Sequence, residues 1–300
     1  MLDEYIWGKA TRISPEAPVM VVDVDRYSHV PGGAANVVNN ICALGAKSSV
    51  VGIIGQDEPG TKLADALRAE GAETSGLVEL PGRPTTRKTR VIAHSQQVVR
   101  VDHENRTSLD SATTARLAAH VKRVTCDADA ILVSDYQKGV VSPDVLAACV
   151  RAATNRIPIT GNLKPHAVSA GAQFTVITLN LLEARQTLGL PTLDTVGEIE
   201  AAGENLLRRT GAQNILVTRG AQGLTLFSKG THCLHVPARP VAVYDPAGAG
   251  DTVITTMTLA LTAGASATEA VVLANYAAAA TVKKLGVTTV SCQEILDSIE

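Results

Sequence analysis

The feature that most constrains the fold is a repeated alternation between short apolar runs and helical patterns. The apolar runs lie at 48–55, 130–134, 157–161, 174–178 and 215–218. Helical patterns lie between them, as at 34–44, 58–70 and 111–125. Strands that are apolar throughout are buried on both faces, as in parallel sheets covered by helices. The alternation therefore predicts an α/β fold with a mostly parallel central sheet.

Polar residues and glycines follow several of these runs directly. They are Asn162-Leu163-Lys164, Asn180 with Glu183, and Thr218-Arg219-Gly220-Ala221-Gln222-Gly223. Open α/β sheets bind ligands at the carboxyl ends of their strands. A nucleotide suits the glycine-containing loop, and the Glu183 carboxylate could organise Mg²⁺ through water and phosphate. Each segment also has a structural explanation as a turn, a surface pair or a helix cap.

Two segments interrupt the alternation, at 16–30 and 84–102. Both are polar and alternating, which is typical of half-exposed strands. We predict that they form a small separate sheet, either a lid over the main sheet or a clasp between two subunits. Its basic residues Arg87, Lys88 and Arg90 either protect an exposed sheet edge or meet an anionic substrate. The first fifteen residues have no clear helix or strand pattern.

Gly248, Ala249 and Gly250 precede Asp251 and an apolar helical run. Short side chains at a helix start leave its first N–H groups bare, and with the helix dipole these form an anion site. A carboxylate beside a bound phosphate is suitably placed to act as a general base for phosphoryl transfer. The alternative is an ordinary helix start with an acidic residue in its first turn.

Composition excludes several classes of function. A net charge of −2 does not indicate a basic surface for binding nucleic acid. With 3% aromatic residues, the chain also has few side chains on which bases could stack. No apolar run approaches the roughly 18 residues of a membrane span. The acidic N-terminal residues do not resemble a signal peptide, so we expect a cytoplasmic protein.

The five cysteines are scattered without a C-x-x-C pair, which indicates reduced thiols. The segment His232-Cys233-Leu234-His235 contains metal-ligand residue types. On a strand, alternation places Cys233 and His235 on one face and His232 on the other. This disfavours metal binding at the segment.

Neither a P-loop motif nor a dinucleotide-binding G-x-G-x-x-G motif after a strand is present. Near the other end of the chain, Gly32 and Gly33 permit close backbone approach, and Asn36 offers an amide to a polyol. Together with the helix start and the glycine loop, these residues describe phosphate transfer from ATP to a sugar hydroxyl.

The chain resembles the ribokinase (PfkB) carbohydrate kinase family in the order of four motifs. They are Gly-Gly-Ala-Ala-Asn, Asn-x-x-Glu, Thr-x-Gly-x-x-Gly and Gly-Ala-Gly-Asp. Segments such as Arg12–Val19 and Ser134–Gly139 are most similar to the D-glycero-β-D-manno-heptose-7-phosphate kinase branch, the kinase half of the ADP-heptose synthases. The resemblance implies a single domain over 1–300, built as a three-layer α/β/α sandwich with a β lid. It also implies that the chain uses ATP and Mg²⁺ and phosphorylates C1 of the heptose 7-phosphate. A homodimer formed through the lid is expected as well. Some relatives also use K⁺.

The resemblance also implies roles for residues at matching positions. Asp251 would be the base, and the N–H groups of Ala249 and Gly250, after Gly248, would steady the phosphoryl group. The residues implied for ATP and, indirectly through Glu183, for Mg²⁺ are Lys164, Asn180, Glu183, Thr218, Gly220, Gly223 and Asn275. Those implied for the sugar are Asp3, Gly32, Gly33 and Asn36, with Arg87 and Lys88 for its 7-phosphate.

Four departures from the family pattern accompany the resemblance. An apolar strand ending in Gly-Asp, expected before the Met1-Leu2-Asp3 match, is not in the sequence. Either the start of the chain is truncated, or the central sheet lacks a strand. Asn162 stands where the pattern has an aspartate, and Leu179 stands where it has a proline. After Asp245, Pro246 and Ala247 stand where the pattern has any residue followed by threonine. The sequence contains no His-x-Gly-His motif, so adenylyl transfer is expected from a separate protein. Kinase action on another sugar or nucleoside, and weak sugar or nucleotide binding without catalysis, are the alternatives.

Overall fold

Strands and the helices that connect them make up most of the computed structural model, which describes residues 1–94, 96–154 and 156–299. The strands in these ranges are β1 (Leu2–Ile13), β2 (Met20–Pro31), β3 (Ser49–Gly55), β4 (Glu73–Leu80), β5 (Arg87–Ala93), β6 (Gln96–His103), β7 (Ile131–Ser134), β8 (Ile159–Asn162), β9 (Val176–Asn180), β10 (Asn214–Thr218), β11 (Leu224–Ser228) and β12 (Leu234–Val236). The α-helices are α1 (Ala34–Ala43), α2 (Glu58–Ala69), α3 (Ser111–Thr125), α4 (Pro143–Ala153), α5 (Leu181–Leu188), α6 (Val196–Thr210), α7 (Ala249–Thr262), α8 (Ala267–Thr281) and α9 (Cys292–Asp297).

The main sheet has the order β12-β11-β10-β9-β8-β7, and its four strands from β7 to β10 are parallel. Its strands are buried on both faces: Ile215, Leu216 and Val217 of β10 are at most 1% exposed. Ile215 and Val217 belong to a core cluster that includes residues of α3 to α6. Leu216 belongs to a second cluster with residues of α7 and α8. The predicted three-layer α/β/α sandwich is confirmed.

A gap divides the central layer. Strands β3 and β4 form a separate parallel pair. A cavity of about 1010 Å³ is lined by residues 49–54, mostly of β3, and by residues 130–135 around β7. The division is what a central layer lacking one strand would have.

The smaller sheet has the order β2-β1-β5-β6. The expectation that the first fifteen residues lack a pattern is wrong, because β1 occupies Leu2–Ile13 and pairs with β2 and β5. Its polar residues occur on both faces, which hides the alternation. The predicted lid segment 16–30 contains one strand, β2, which extends to Pro31. Ser95, inside the predicted lid segment 84–102, lies outside the described residues.

Most predicted elements agree with the structure to within a few residues. Among residues with described positions, none of the helices has the length and apolarity that a bilayer crossing requires.

Gly203 of α6 provides a test of packing beneath the main sheet. A Cβ at Gly203 would lie 2.3 Å from ring atoms of Phe227, whereas one at Gly197 in the same helix would have no atom within 4 Å. We expect Gly203→Ala to lower the free energy of unfolding by about 1–3 kcal/mol through overpacking. Gly197→Ala is expected to raise it by up to about 1 kcal/mol. Urea denaturation measures both, and equal effects would contradict this packing.

Candidate active site

Asp251 lies at the start of α7, where three elements meet. Its carboxylate is 5% exposed. The Asn36 side-chain amide on α1 donates to Oδ2 over 2.8 Å, and the Tyr136 hydroxyl after β7 donates to Oδ1 over 2.6 Å. Gly248 precedes the helix with a φ of 85°, a left-handed conformation that favours glycine. Tyr136 lies in the Ser134–Gly139 motif, but no signal in the sequence connected it with Asp251.

Burial dominates the electrostatics of this carboxylate. It raises the pKa of Asp251 because the charged form loses solvation, while the hydrogen bonds from Asn36 and Tyr136 and the charge of Lys164 oppose the rise. Burial beside Asp251 also raises the pKa of Tyr136, which therefore remains a neutral donor. A carboxylate with a raised pKa is a stronger proton acceptor than an ordinary one.

We expect Tyr136→Phe to change the pH dependence of turnover. Losing the Tyr136 hydrogen bond removes stabilisation of the ionised carboxylate, so the pKa of Asp251 rises further. The base is active when ionised, so activity should be lost at a higher pH on acidification. A pH–rate profile of kcat/KM measures the shift, with Tyr244→Phe, an exposed tyrosine, as the control. An unmoved acid limb would contradict this role for Tyr136.

The start of α7 presents free backbone donors. The N–H of Ala249 donates to the Pro246 carbonyl over 3.3 Å. In the described part of the chain, the N–H groups of Gly250 and Asp251 have no backbone acceptor. A Cβ at Gly250 would meet no atom within 4 Å, so there is open space beside the helix start. Gly250 and Asp251, rather than Ala249, therefore have N–H groups available to an anion.

Asp3 and Gly32 lie together on the opposite side of Asn36. A Cβ at Gly32 would lie 2.2 Å from Asp3 Oδ2, and one at Gly33 would lie 2.3 Å from the Met1 side chain. Asp3 is 2% exposed. Its Oδ1 is 3.0 Å from Arg90 Nη1, yet neither atom has a hydrogen-bond partner among the described residues. This ion pair therefore retains hydrogen-bonding capacity for a polar ligand.

The two lid residues predicted for a substrate phosphate lie on different faces. Asp3 pairs with Lys88 across β1 and β5, so both side chains lie on one face. Arg90, two residues further along, shares this face and contacts Asp3. Arg87 lies on the other face, where its Nε is 3.5 Å from Glu4. The structure thus brings Lys88 and Arg90 to Asp3 and leaves Arg87 on the far side of the sheet.

Asn180, Glu183 and Lys164 form one connected group. Asn180 and Glu183 form a capping box at the start of α5, each side chain accepting from the other's backbone N–H over 2.9 Å. The second Glu183 oxygen accepts from Lys164 Nζ over 2.5 Å. Asn162 Oδ1 accepts from the same ammonium over 3.4 Å, at the position where the family has an aspartate. Since both Glu183 oxygens are engaged, this carboxylate suits an indirect role toward Mg²⁺, through water.

Thr218 ends β10, and Gly220 and Gly223 lie in the loop between β10 and β11. Gly220 faces open space, whereas a Cβ at Gly223 would lie 2.1 Å from the Val236 carbonyl. The loop closes through a hydrogen bond from the Arg219 N–H to the Gly223 carbonyl over 2.8 Å. Asn275 is buried in α8, where its amide donates to the Pro237 carbonyl over 2.9 Å. Asn275 therefore anchors the segment that follows β12.

The chain belongs to the pfkB family of carbohydrate kinases, since the family model matches residues 5–294. It is 41% identical over 300 residues to the bifunctional protein HldE of Geobacter sulfurreducens, covering 100% of this chain and 61% of that protein. It is 42% identical over 297 residues to the HldE of Gluconobacter oxydans, covering 98% of this chain and 62% of that protein. The chain thus spans less than two thirds of these relatives' length.

Solved structures share the fold at lower identity. Phosphofructokinase-2 from Escherichia coli, in complex with potassium, aligns with a TM-score of 0.81 at 20% identity, covering 99% of this chain and 94% of that one. Arabidopsis thaliana ribokinase, complexed with ribose and ATP, aligns with a TM-score of 0.75 at 19% identity, covering 100% and 96%. Both likenesses concern the ribokinase-like fold.

Proposed function

We propose that the chain is an ATP-dependent kinase that phosphorylates the C1 hydroxyl of D-glycero-D-manno-heptose 7-phosphate. The observation that carries the proposal is the buried Asp251 carboxylate, held by Asn36 and Tyr136 beside free N–H groups of a helix start. The charges of Asp3 and Lys164 both act on this carboxylate, and we assign Asp3 to the sugar and Lys164 to the nucleotide. The identity to HldE proteins supports the choice of sugar.

In the proposed reaction Asp251 accepts the proton of the sugar hydroxyl. The hydroxyl oxygen forms a bond to the γ-phosphorus of ATP, and the bond from that phosphorus to the bridging oxygen breaks, releasing ADP. The N–H groups of Gly250 and Asp251 face the negative charge on the transferring group. Lys164 offers a positive charge to the ATP phosphates. When bound, Mg²⁺ neutralises phosphate charge, and Glu183 would orient its water ligands.

The 7-phosphate is assigned to Lys88 and Arg90. Both lie on the lid face that carries Asp3, and Lys88 Nζ is 2.9 Å from Asp102. Two cations on the sugar side favour a substrate that is already phosphorylated. Arg87 is engaged with Glu4 on the other face, so it has no part in this assignment.

A substrate panel tests the proposal. ADP release is measured with heptose 7-phosphate, the unphosphorylated heptose, fructose 6-phosphate, ribose and a nucleoside. The highest kcat/KM is expected with heptose 7-phosphate. Preference for an unphosphorylated sugar or a nucleoside would assign the chain to another substrate of the same family. Sugar binding by calorimetry without any ADP release would instead establish a binding protein.

Dependence on cations forms a separate part of the proposal. We expect activity to require Mg²⁺. We also expect K⁺ to increase activity, since the structurally similar Escherichia coli phosphofructokinase-2 was solved in complex with potassium. Activity after chelation of divalent ions, and in sodium compared with potassium buffer, measures each requirement.

We also propose that residues 1–300 form one cytoplasmic kinase domain that dimerises through the lid. The exposed Tyr27, Val99 and Val101 pair with Ile6, Val91 and Thr89 on the lid face opposite Asp3. An apolar patch on an open sheet suits coverage by a second subunit.

Light scattering should give the mass of a dimer for the native chain, and the mass of a monomer for Val99→Glu/Val101→Glu. Leu296→Glu, an exposed site on α9, is the control and should remain dimeric. A native monomer would reject the lid interface.

A further inference from the structure

Three potential metal ligands converge at a point away from the Asp251 site. Glu200 lies on α6, His235 on β12, and Cys233 directly before β12, and one ligand atom of each lies within 4.8 Å of the others. The sequence pair Cys233 and His235 therefore gains a third ligand that lies more than thirty positions earlier in the chain. His235 and Glu200 are partly accessible, with side chains 34% and 45% exposed.

The spacing of the three ligand atoms is close to the edges of a zinc tetrahedron. Cys233 Sγ is 3.6 Å from Glu200 Oε1 and 3.6 Å from His235 Nε2. His235 Nε2 is 3.0 Å from the same Glu200 oxygen. Zn–S bonds of about 2.3 Å and Zn–N or Zn–O bonds of about 2.1 Å at tetrahedral angles give edges of about 3.6 Å to sulfur and about 3.4 Å between N and O. Opening the N–O edge by about 0.4 Å would admit the ion.

The surroundings hold the imidazole in a ligating orientation. Thr225 Oγ1, fully buried on β11, is 3.0 Å from His235 Nδ1. A hydrogen bond from Nδ1–H to this oxygen leaves the Nε2 lone pair directed at the other two ligands, as in the outer shell of protein metal sites. Arg219 Nη1 donates to Thr225 Oγ1 over 3.2 Å and also lies 3.3 Å from His235 Nδ1, a contact that the Nδ1–H tautomer leaves without a hydrogen bond. Arg219 directly follows Thr218, so the cluster adjoins the glycine loop.

We propose that Glu200, Cys233 and His235 bind a zinc-class divalent cation, with water as the fourth ligand. The set of one thiolate, one imidazole and one carboxylate selects a borderline-soft ion and disfavours Mg²⁺ or Ca²⁺, which prefer oxygen ligands. Binding releases the thiol proton and links α6 to β12. Its three ligands are not among the residues assigned to the sugar or to ATP, although the cluster adjoins the glycine loop through Arg219 and Thr225.

Titration of the chelator-treated full chain with Co²⁺ and Zn²⁺ tests the site. With Co²⁺ we expect a thiolate-to-metal charge-transfer band and tetrahedral d–d absorption that saturate at one ion per chain. Calorimetry with Zn²⁺ should show at least tenfold weaker binding for Cys233→Ser and for His235→Gln. Cys126→Ser, a change at an exposed cysteine elsewhere, should bind as the native chain does.

A second readout separates the site from a merely structural cluster. Zn²⁺ should raise the Tm of the native chain and of Cys126→Ser, and leave that of Cys233→Ser unchanged, because only an ion bound to the folded state adds stability. If either variant folds poorly, Glu200→Gln provides the same comparison. The proposal is overturned if the Co²⁺ spectrum lacks the thiolate band, or if Zn²⁺ affinity is unchanged in the Cys233 and His235 variants.

Discussion

Asp251→Asn is expected to reduce kcat for phosphate transfer by roughly 10²–10⁴-fold, the contribution typical of a positioned general base. The amide keeps the shape of the side chain but cannot accept the proton of the sugar hydroxyl. The KM for ATP should change little, since Lys164 and the loop at Thr218–Gly223 are untouched. Steady-state ADP release and calorimetric ATP binding measure the two effects.

The matched control is Asp144→Asn. Asp144 also occupies the first turn of a helix, α4, but it is exposed and lies outside the site. Its substitution should leave turnover unchanged, so the comparison separates the role of a base from that of an acidic helix start. Undiminished turnover of Asp251→Asn would exclude the carboxylate as the base.

Asp3→Ala should have the second largest effect, and it should appear mainly in the KM for the sugar. A hydrogen bond to a charged group contributes about 1.5–3 kcal/mol, which corresponds to roughly a 10- to 150-fold change in kcat/KM. The substitution also leaves the largely buried Arg90 without its partner, so the free energy of unfolding should fall. Kinetics over a range of sugar concentrations and urea denaturation measure both.

Glu4→Ala is the control for Asp3→Ala, because Glu4 is the next residue on β1 and points to the opposite lid face. There it contacts Arg87 and Thr89. It should affect stability without changing the KM for the sugar. Equal changes in KM for both variants would show that the two faces of the lid are not distinguished by the substrate.

Much of the central layer was predictable because its signal is local. In β10 three successive residues are apolar and buried, so the run identifies the strand without knowledge of its neighbours. The same holds for the helix start at Asp251, where three small residues expose backbone donors. Such features depend on a few consecutive residues and on general backbone chemistry.

The remaining features depend on pairing between distant segments. Strand β1 is polar on both sides, and only its pairing with β2 and β5 identifies it as a strand. Its register with β5 decides that Arg90, and not Arg87, shares a face with Asp3. Tyr136 reaches Asp251 across 115 positions of sequence. Neither alternation nor motif spacing contains this information.

The gap between β3 and β7 has a consequence for how the molecule loses its structure. A continuous sheet transmits order through its backbone hydrogen bonds, but here the β3–β4 pair is joined to the main sheet through helices, including contacts of α1 with α7 and of α3 with β3 and β4. Amide protons of β3 and β4 should therefore exchange through openings of lower free energy than those of β8 to β10. The two regions then unfold as separate cooperative units, and the β3–β4 pair opens first.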